Sequence, residues 1–306
     1  MSHPKVIVDF LNVGFGEAIF IHTGDYTVLV DGGDNRESIY KRSNRKKAIE
    51  YVKEKKISHI HLLVITHFHR DHIAGILDIV LNVSVDEVWV MYQFDSNKLN
   101  YSLPADPALG ILDAINIYKR IQHVLENNGT KIYQVNNTMV TSLGDLKTHV
   151  LQPDRRAQYS IQTKMNRLHQ LSTSSKMFSD LLTEIDQHLN AASLVLLFQW
   201  KRRNFLLLSG EVPVDYWYDF LNQHIQADII KAPHHGDVNC LSREFLHMTN
   251  PKHVVISADN EGTFDLPSPQ VSNFIHQFNP QIQIHFTHNP SCYPSDEDGV
   301  VRFVIQ

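Results

Sequence analysis

Alternation and apolar runs divide the chain into strand-rich halves, each followed by helical stretches. Val6 to Leu11, Ala18 to His22 and Thr27 to Val30 predict three short strands joined by tight, glycine-containing turns. His61 to Thr66 is an apolar run of the length of a buried strand, and Ile73 to Val80 after it predicts a helix. Arg45 to Lys56 is a helix with Ala48, Ile49 and Val52 on its apolar face. Glu87 to Met91 reads as a strand, 93–104 as a loop, and Asp106 to Asn128 as a helix stopped at Gly129. Lys131 to Val135 and Lys147 to Leu151 are again strands. Ser193 to Trp200 and Asn204 to Leu208 predict a hairpin across Lys201-Arg202-Arg203. Val212 to Gln223 predicts a helix with Pro213 near its start, and its Tyr216, Trp217 and Tyr218 are assigned to core packing. Asp228 to Ala232, Val254 to Ser257, Gln281 to Phe286 and Val300 to Ile305 complete the strands, with a helix from Pro269 to Phe278 among them. The polar stretch 152–190 predicts a helix only over Phe178 to Leu189. It is open as a lid over a site or as a plain helical connection.

One polar cluster interrupts this pattern where a strand ends. His67-Phe68-His69-Arg70-Asp71-His72 follows the buried run directly. Neutral imidazole and carboxylate are the ligands that suit zinc, manganese or iron. His67 and His69 lie two residues apart, so their rings can point the same way from an extended loop. Asp71 and His72 lie further round the turn and can face a second ion.

In its strand–loop–helix context this motif resembles the metallo-β-lactamase superfamily. Leu11-Asn12-Val13-Gly14-Phe15-Gly16-Glu17-Ala18 resembles the Leu-Asp-Val-Gly-Gln-Gly-Asp-Ala opening of one branch, the hydrolase domain of ComEC-type competence proteins. Val30-Asp31-Gly32-Gly33, Asn190-X-X-Ser193-Leu194-Val195, Leu208-Ser209-Gly210-Glu211 and Ala232-Pro233-His234-His235-Gly236 follow in that branch's order. The resemblance runs from about Val6 to the C-terminus. It implies an α/β fold, an αββα sandwich of two packed mixed sheets flanked by helices, as one domain over 1–306 with an insertion around 152–190.

It also implies a dinuclear, metal-dependent hydrolase with two divalent ions, Zn or Mn. His67 and His69 would hold one ion. Asp71, His72 and His234 would hold the other, and Glu211 would reach both. His234 is preferred to His235 because it comes first after its strand; His235 then hydrogen-bonds or faces substrate, and the reverse assignment stays open. An additional ligand for the first ion would be Asn190 or His149. Asp31 would orient a ligand histidine. Asp71 would orient a hydroxide held between two cations about 3.5–4 Å apart, an arrangement suited to in-line attack on a phosphodiester. The family carries aspartate where this chain has Glu211. The longer acid could keep the bridge, bind one ion or swing away; metal binding is expected. The expected activity is a phosphodiesterase or nuclease; the alternatives are hydrolysis of a small ester, lactone or phosphocholine-like diester, and a binding module without chemistry.

Composition narrows the setting. An apolar fraction of 42% in 306 residues supports a sizeable core. There is no apolar run near 18 residues and no signal-peptide pattern, and the two cysteines, Cys240 and Cys292, form no disulfide framework. The expectation is a cytoplasmic protein without membrane insertion that carries the hydrolase part alone, whereas ComEC-type proteins carry it on a membrane channel. The net charge of −5 gives no global attraction to nucleic acid. Three local basic clusters, Lys41-Arg42 with Arg45-Lys46-Lys47, Arg155-Arg156 and Lys201-Arg202-Arg203, are open as a phosphate-attracting rim or as solvated surface.

Overall fold

The computed structural model describes residues 5–41, 44–99, 110–220, 225–289 and 299–306. Their strands form two sheets of seven strands each, with helices on the outer faces. This is the metallo-β-lactamase α/β sandwich.

The first sheet begins with β1 (Val6–Leu11), β2 (Ile19–Thr23) and β3 (Tyr26–Val30), an antiparallel meander. It continues in parallel through β4 (His59–Ile65), β5 (Ser84–Val90) and β6 (Lys131–Gln134). Parallel strands covered on both faces need apolar residues on both, and Leu62, Leu63, Val64 and Ile65 are all buried. The last strand of the chain, β14 (Val300–Ile305), pairs with β1, where Arg302 grips the buried Asp9 through two hydrogen bonds of 2.5 and 2.6 Å. The second sheet has an antiparallel half, β7 (Val140–Leu143), β8 (Leu146–Gln152), β9 (Val195–Trp200) and β10 (Arg203–Leu208). Its parallel half adds β11 (Ile229–Lys231), β12 (His253–Ile256) and β13 (Gln283–Phe286).

The helices are α1 (Ala48–Glu54), α2 (Arg70–Val80), α3 (Gly110–Asn127), α4 (Arg155–Leu168), α5 (Lys176–Leu189), α6 (Arg243–Thr249) and α7 (Val271–Phe278). The stretch 152–190 is therefore a helical pair. Asp154 starts α4 by accepting from the backbone N–H of Arg156 and Ala157, and Ser175 caps α5. The helix expected over Val212 to Gln223 is a 3-10 segment, Val214–Phe220, with Trp217 buried and Tyr218 exposed; Gln223 lies outside the described residues. So do Cys292, Arg42, the start of the helix expected from Asp106 and the later part of the loop expected over 93–104.

Two close approaches bring the strand ends of both sheets together. Helix α2 packs backbone to backbone on the end of β3: the Gly75 N–H donates to Gly33 O at 2.8 Å, and a Cβ on Gly75 would stand 2.0 Å from Gly32 O. The sheets touch where Leu194 N–H donates to Thr66 O at 3.0 Å. Gly75→Ala would gain about 1 kcal/mol of helix propensity. Overpacking against fixed backbone costs more, about 3 kcal/mol. We expect Gly75→Ala to lower the denaturant midpoint of chelator-treated protein by that net loss of about 2 kcal/mol; an unchanged midpoint would contradict this packing.

Candidate metal centre

The site lies at the ends of β3 and β4 in one sheet and β10 and β11 in the other. The histidine motif straddles a loop and a helix start: His69 is the N-cap residue of α2, and Asp71 and His72 occupy its first turn. Glu211 follows β10 after Gly210, which has φ 57° and lies so close to Ser193 that a Cβ would meet its Oγ at 2.5 Å. Ser193 Oγ in turn accepts the Glu211 N–H at 2.8 Å. This fixes the backbone of Glu211 and directs its carboxylate inward.

Four imidazoles converge on that carboxylate, and the outer nitrogen of each is committed as a donor. Tautomers follow from the partners. His72 Nδ1 donates to Asp31 Oδ2 at 2.8 Å. His235 Nδ1 donates to the Ser257 carbonyl at 2.7 Å. Thr66 Oγ1 gives its own hydrogen to Asp31 Oδ2, so at 3.1 Å it accepts from His67 Nδ1. His69 Nε2 donates to Asp186 Oδ1 at 3.1 Å. In the neutral rings the inward nitrogens are therefore lone pairs.

Those lone pairs face acceptors. His72 Nε2 is 2.9 Å and His235 Nε2 is 2.7 Å from Glu211 Oε1, and both approach Asp71 Oδ2, at 3.4 and 3.3 Å. His67 Nε2 is 3.2 Å from Glu211 Oε2 and 3.0 Å from His69 Nδ1. The buried His235 Nε2 makes no well-aligned hydrogen bond to either carboxylate despite its short distances. Acceptor against acceptor at these separations is repulsive unless a cation lies between. Imidazoles that give their outer N–H to a carboxylate, carbonyl or hydroxyl and turn the other nitrogen inward are the usual arrangement of metal ligands. The residues fit two neighbouring cations: Asp71, His72, Glu211 and His235 form one cluster, His67, His69 and Glu211 the other.

The same field acts on protons. Burial disfavours the charged form of His72 and His235, but the surrounding carboxylates outweigh it, holding His72 well above the usual histidine value and pushing His235 up to about 9. Burial likewise opposes ionisation of Asp71 and Glu211, yet the histidines hold both well below the usual carboxylate range. His67 is pushed down to about 4 by burial and by the neighbouring His72. Beneath the cluster the fully buried Lys231 pairs with Glu17 Oε2 at 2.7 Å. Burial works against its charge, and Glu17 and Glu211 raise its pKa all the same.

The structure exchanges the two adjacent histidines. His235, not His234, stands with Asp71, His72 and Glu211. Both residues have left-handed backbone, φ 45° and 53°. That turn swings His234 away, where its Nε2 lies 3.3 Å from Asn190 Nδ2 and its Nδ1 lies 3.5 Å from Asp237 Oδ2 and 3.8 Å from Cys240 Sγ. Of the two residues offered as an additional ligand, Asn190 lines the site with a buried, unpartnered Oδ1. His149 lies on the face of β8 opposite the buried Thr148 and joins none of the ligand clusters found among the described residues. Asp186 was not foreseen, although its place one helical turn before Asn190 on α5 signals a shared face. The Ser257 carbonyl leaves no mark in the sequence.

The centre opens into a cleft of about 1050 Å³. Asp71, Asp113, Asp186, Glu211, Asp237 and Asp265 line it, against Arg36 and Arg70. Among the described residues no member of the basic clusters lines it, and Arg45 lines an adjoining side pocket. Strand β10 carries the Lys201-Arg202-Arg203 turn roughly 20 Å from Glu211, and there Arg203 pairs with Asp228. Arg155 and Arg156 begin α4. Arg45, Lys46 and Lys47 pair with Glu261, Glu54 and Glu37.

Comparison with known proteins agrees with this fold. Residues 11–128 match the family model of the Metallo-beta-lactamase superfamily. The chain has a metallo-β-lactamase fold. ComE operon protein 3 of Bacillus subtilis (strain 168) is 22% identical over 309 residues, which cover 97% of this chain and 32% of that protein; the chain thus spans about a third of its relative's length. Among solved structures, a metallo hydrolase from Ignicoccus hospitalis KIN4/I, Igni18, superposes with a TM-score of 0.51 at 13% identity, covering 97% of this chain and 98% of that one. The metallo-beta-lactamase fold protein YhfI from Bacillus subtilis gives 0.51 at 10% identity, covering 98% and 99%. These likenesses show the fold. Among the described residues no helix is long and apolar enough to cross a membrane.

Two substitutions test the exchange. His235→Ala should lose one metal equivalent by elemental analysis, whereas His234→Ala should keep the wild-type content. Asp186→Ala, which frees His69 to turn, should weaken metal affinity about 10–100-fold. Equal loss in both histidine variants would contradict the assignment.

Proposed function

We propose that the protein is a dinuclear metal-dependent phosphodiesterase acting on a small or short phosphodiester. The observation that carries the proposal is the pair of ligand clusters sharing Glu211, one carboxylate oxygen turned to each. Two divalent cations, Zn or Mn, would supply Lewis acidity and a lowered water pKa at this centre.

The chain's own groups do the rest. His67 and His69 would hold the first position, with Asn190 Oδ1 at hand as a further oxygen. Asp71, His72 and His235 would hold the second. Asp71 is the most exposed of these carboxylates, with 24% of its side chain open to the cleft, and would orient the attacking water along its Oδ2. Asp31, Thr66, Asp186 and the Ser257 carbonyl keep the rings from turning as charge moves. Glu17 and Lys231 support the loop beneath. A tetrahedral diester anion suits a doubly cationic centre, because its two non-bridging oxygens can be held while the leaving oxygen departs in line.

The cleft wall argues for a small substrate. A long polyanion crossing Asp186, Asp237 and Asp265 would meet repulsion, since the lining arginines Arg36 and Arg70 are already paired with Asp34 and Asp113. A cleft of this size also suits a small carboxylic ester or lactone, which is the second reading.

A substrate panel on metal-replete protein separates them. Bis-p-nitrophenyl phosphate and dinucleotides should turn over, and long duplex DNA should be a poor substrate. His69→Ala should lower diester turnover at least about a hundredfold while the circular dichroism spectrum stays unchanged. Lactone turnover without diester turnover would overturn the proposal in favour of the second reading.

A further inference from the structure

Two phenylalanines at the mouth of the cleft have no part in the chemistry above. Phe15, on the turn between β1 and β2, lies against the His235 ring with centroids 4.2 Å apart and planes at 44°. Phe264, on the loop before α7, meets Phe15 edge-on at 5.3 Å and 63°, and is 80% exposed. Both rings line the main cleft and a side pocket of about 400 Å³, and so do Arg36 and Asp71.

The exposure of Phe264 is imposed by its loop. Its φ is 55°, a left-handed conformation that is unfavourable for a bulky side chain. Asp259 holds the loop in place: Oδ1 accepts from Glu261 N–H at 3.0 Å and Thr263 N–H at 3.4 Å, and Oδ2 accepts from Thr263 Oγ1 at 2.6 Å. A ring forced into water beside a reactive centre is a surface waiting for apolar contact. Its angle to Phe15 gives a corner with one ring face and one ring edge, and an aromatic ring can pair with either, stacked or edge-on. Arg36 supplies the charge nearby. Asp34 fixes its guanidinium through contacts of 2.9 and 2.7 Å, and 59% of the side chain stays exposed.

We propose that Phe15 and Phe264 form a stacking subsite for a planar aromatic ring carried by the substrate beside its reacting phosphoryl group, with Arg36 facing the anionic part. Since Phe15 touches His235 and both line the same cleft as Asp71, a ring on the Phe264 face and a phosphoryl group at the centre lie within the span of one aromatic phosphoester. The ring is a nucleobase or an aryl group; the chemistry is shared. The inference rests on the phosphodiesterase reading and names the substrate class of that site.

Calorimetric binding to the metal-replete protein tests it without turnover. The probes are thymidine 5′-monophosphate, phenyl phosphate and deoxyribose 5-phosphate. At least one ringed phosphate should bind about tenfold or more tightly than deoxyribose 5-phosphate, and which one does so names the source of the ring. Phe264→Ala should remove that advantage, and Phe264→Tyr should keep it. The substituted side chain is exposed, and deoxyribose 5-phosphate affinity serves as the control for an intact centre. Equal binding of all three probes by the wild type, no binding of any, or an advantage that survives Phe264→Ala would overturn the subsite. Ring-dependent binding by a wild type that turns over no diester would leave the subsite standing and sink the phosphodiesterase reading alone.

Discussion

The fold depends at its centre on an electrostatic conflict. Two carboxylates, Asp71 and Glu211, meet the inward nitrogens of His67, His72 and His235, and each of these rings spends its outward N–H elsewhere. Each outward N–H is tied to a separate element: His72 to the end of β3, His67 to the end of β4, His69 to α5 and His235 to the backbone after β12. Every outward bond turns a lone pair inward. The centre is thus built to hold positive charge, and a buried cluster of this kind is costly unless it does so.

The rest of the molecule makes this convergence possible. Parallel strands deliver their ends to one rim, and glycines let the rims approach: Gly75 over Gly32, and Gly210 against Ser193. Lys231 is the counterweight. It is an amine with no exposure in an otherwise apolar strand, and its partner Glu17 belongs to the β1–β2 turn of the other sheet. The ion pair therefore ties the sheets together directly under Glu211. Ser193 accepts the Glu211 backbone N–H, and the two carboxylate oxygens divide between the clusters, Oε2 toward His67 and Oε1 toward His72 and His235.

Much of this was legible because it is local. A buried apolar run ending in His67-Phe68-His69-Arg70-Asp71-His72 specifies a strand, a turn and a cluster of converging imidazole and carboxylate groups within twelve residues. Alternation and apolar runs predict most strands, and the helical spacing of Leu109, Leu112, Ile115, Ile121, Val124 and Leu125 predicts α3. What was illegible depends on backbone geometry or on partners distant in sequence. His234 and His235 are indistinguishable by residue type, and only two successive left-handed residues decide which ring enters. Helix α4 buries just Ile161, Met165 and Leu168 on its apolar side, too narrow a stripe to stand out in a polar stretch. The short strand β7 alternates only between exposed and half-buried positions. Sequence leaves the basic clusters open as a phosphate-attracting rim or as solvated surface, and the acidic partners of Arg45, Lys46, Lys47 and Arg203, which are Glu261, Glu54, Glu37 and Asp228, are not revealed by spacing alone.

The proposed centre places two cations on the two oxygens of Glu211. Anomalous diffraction from crystals equilibrated with zinc or manganese tests it most directly. The account predicts two anomalous peaks about 3.5–4 Å apart, one beside Asp71, His72 and His235, the other beside His67 and His69, with a Glu211 oxygen on each. A single peak, or two peaks with the Glu211 carboxylate turned away from both, would contradict it.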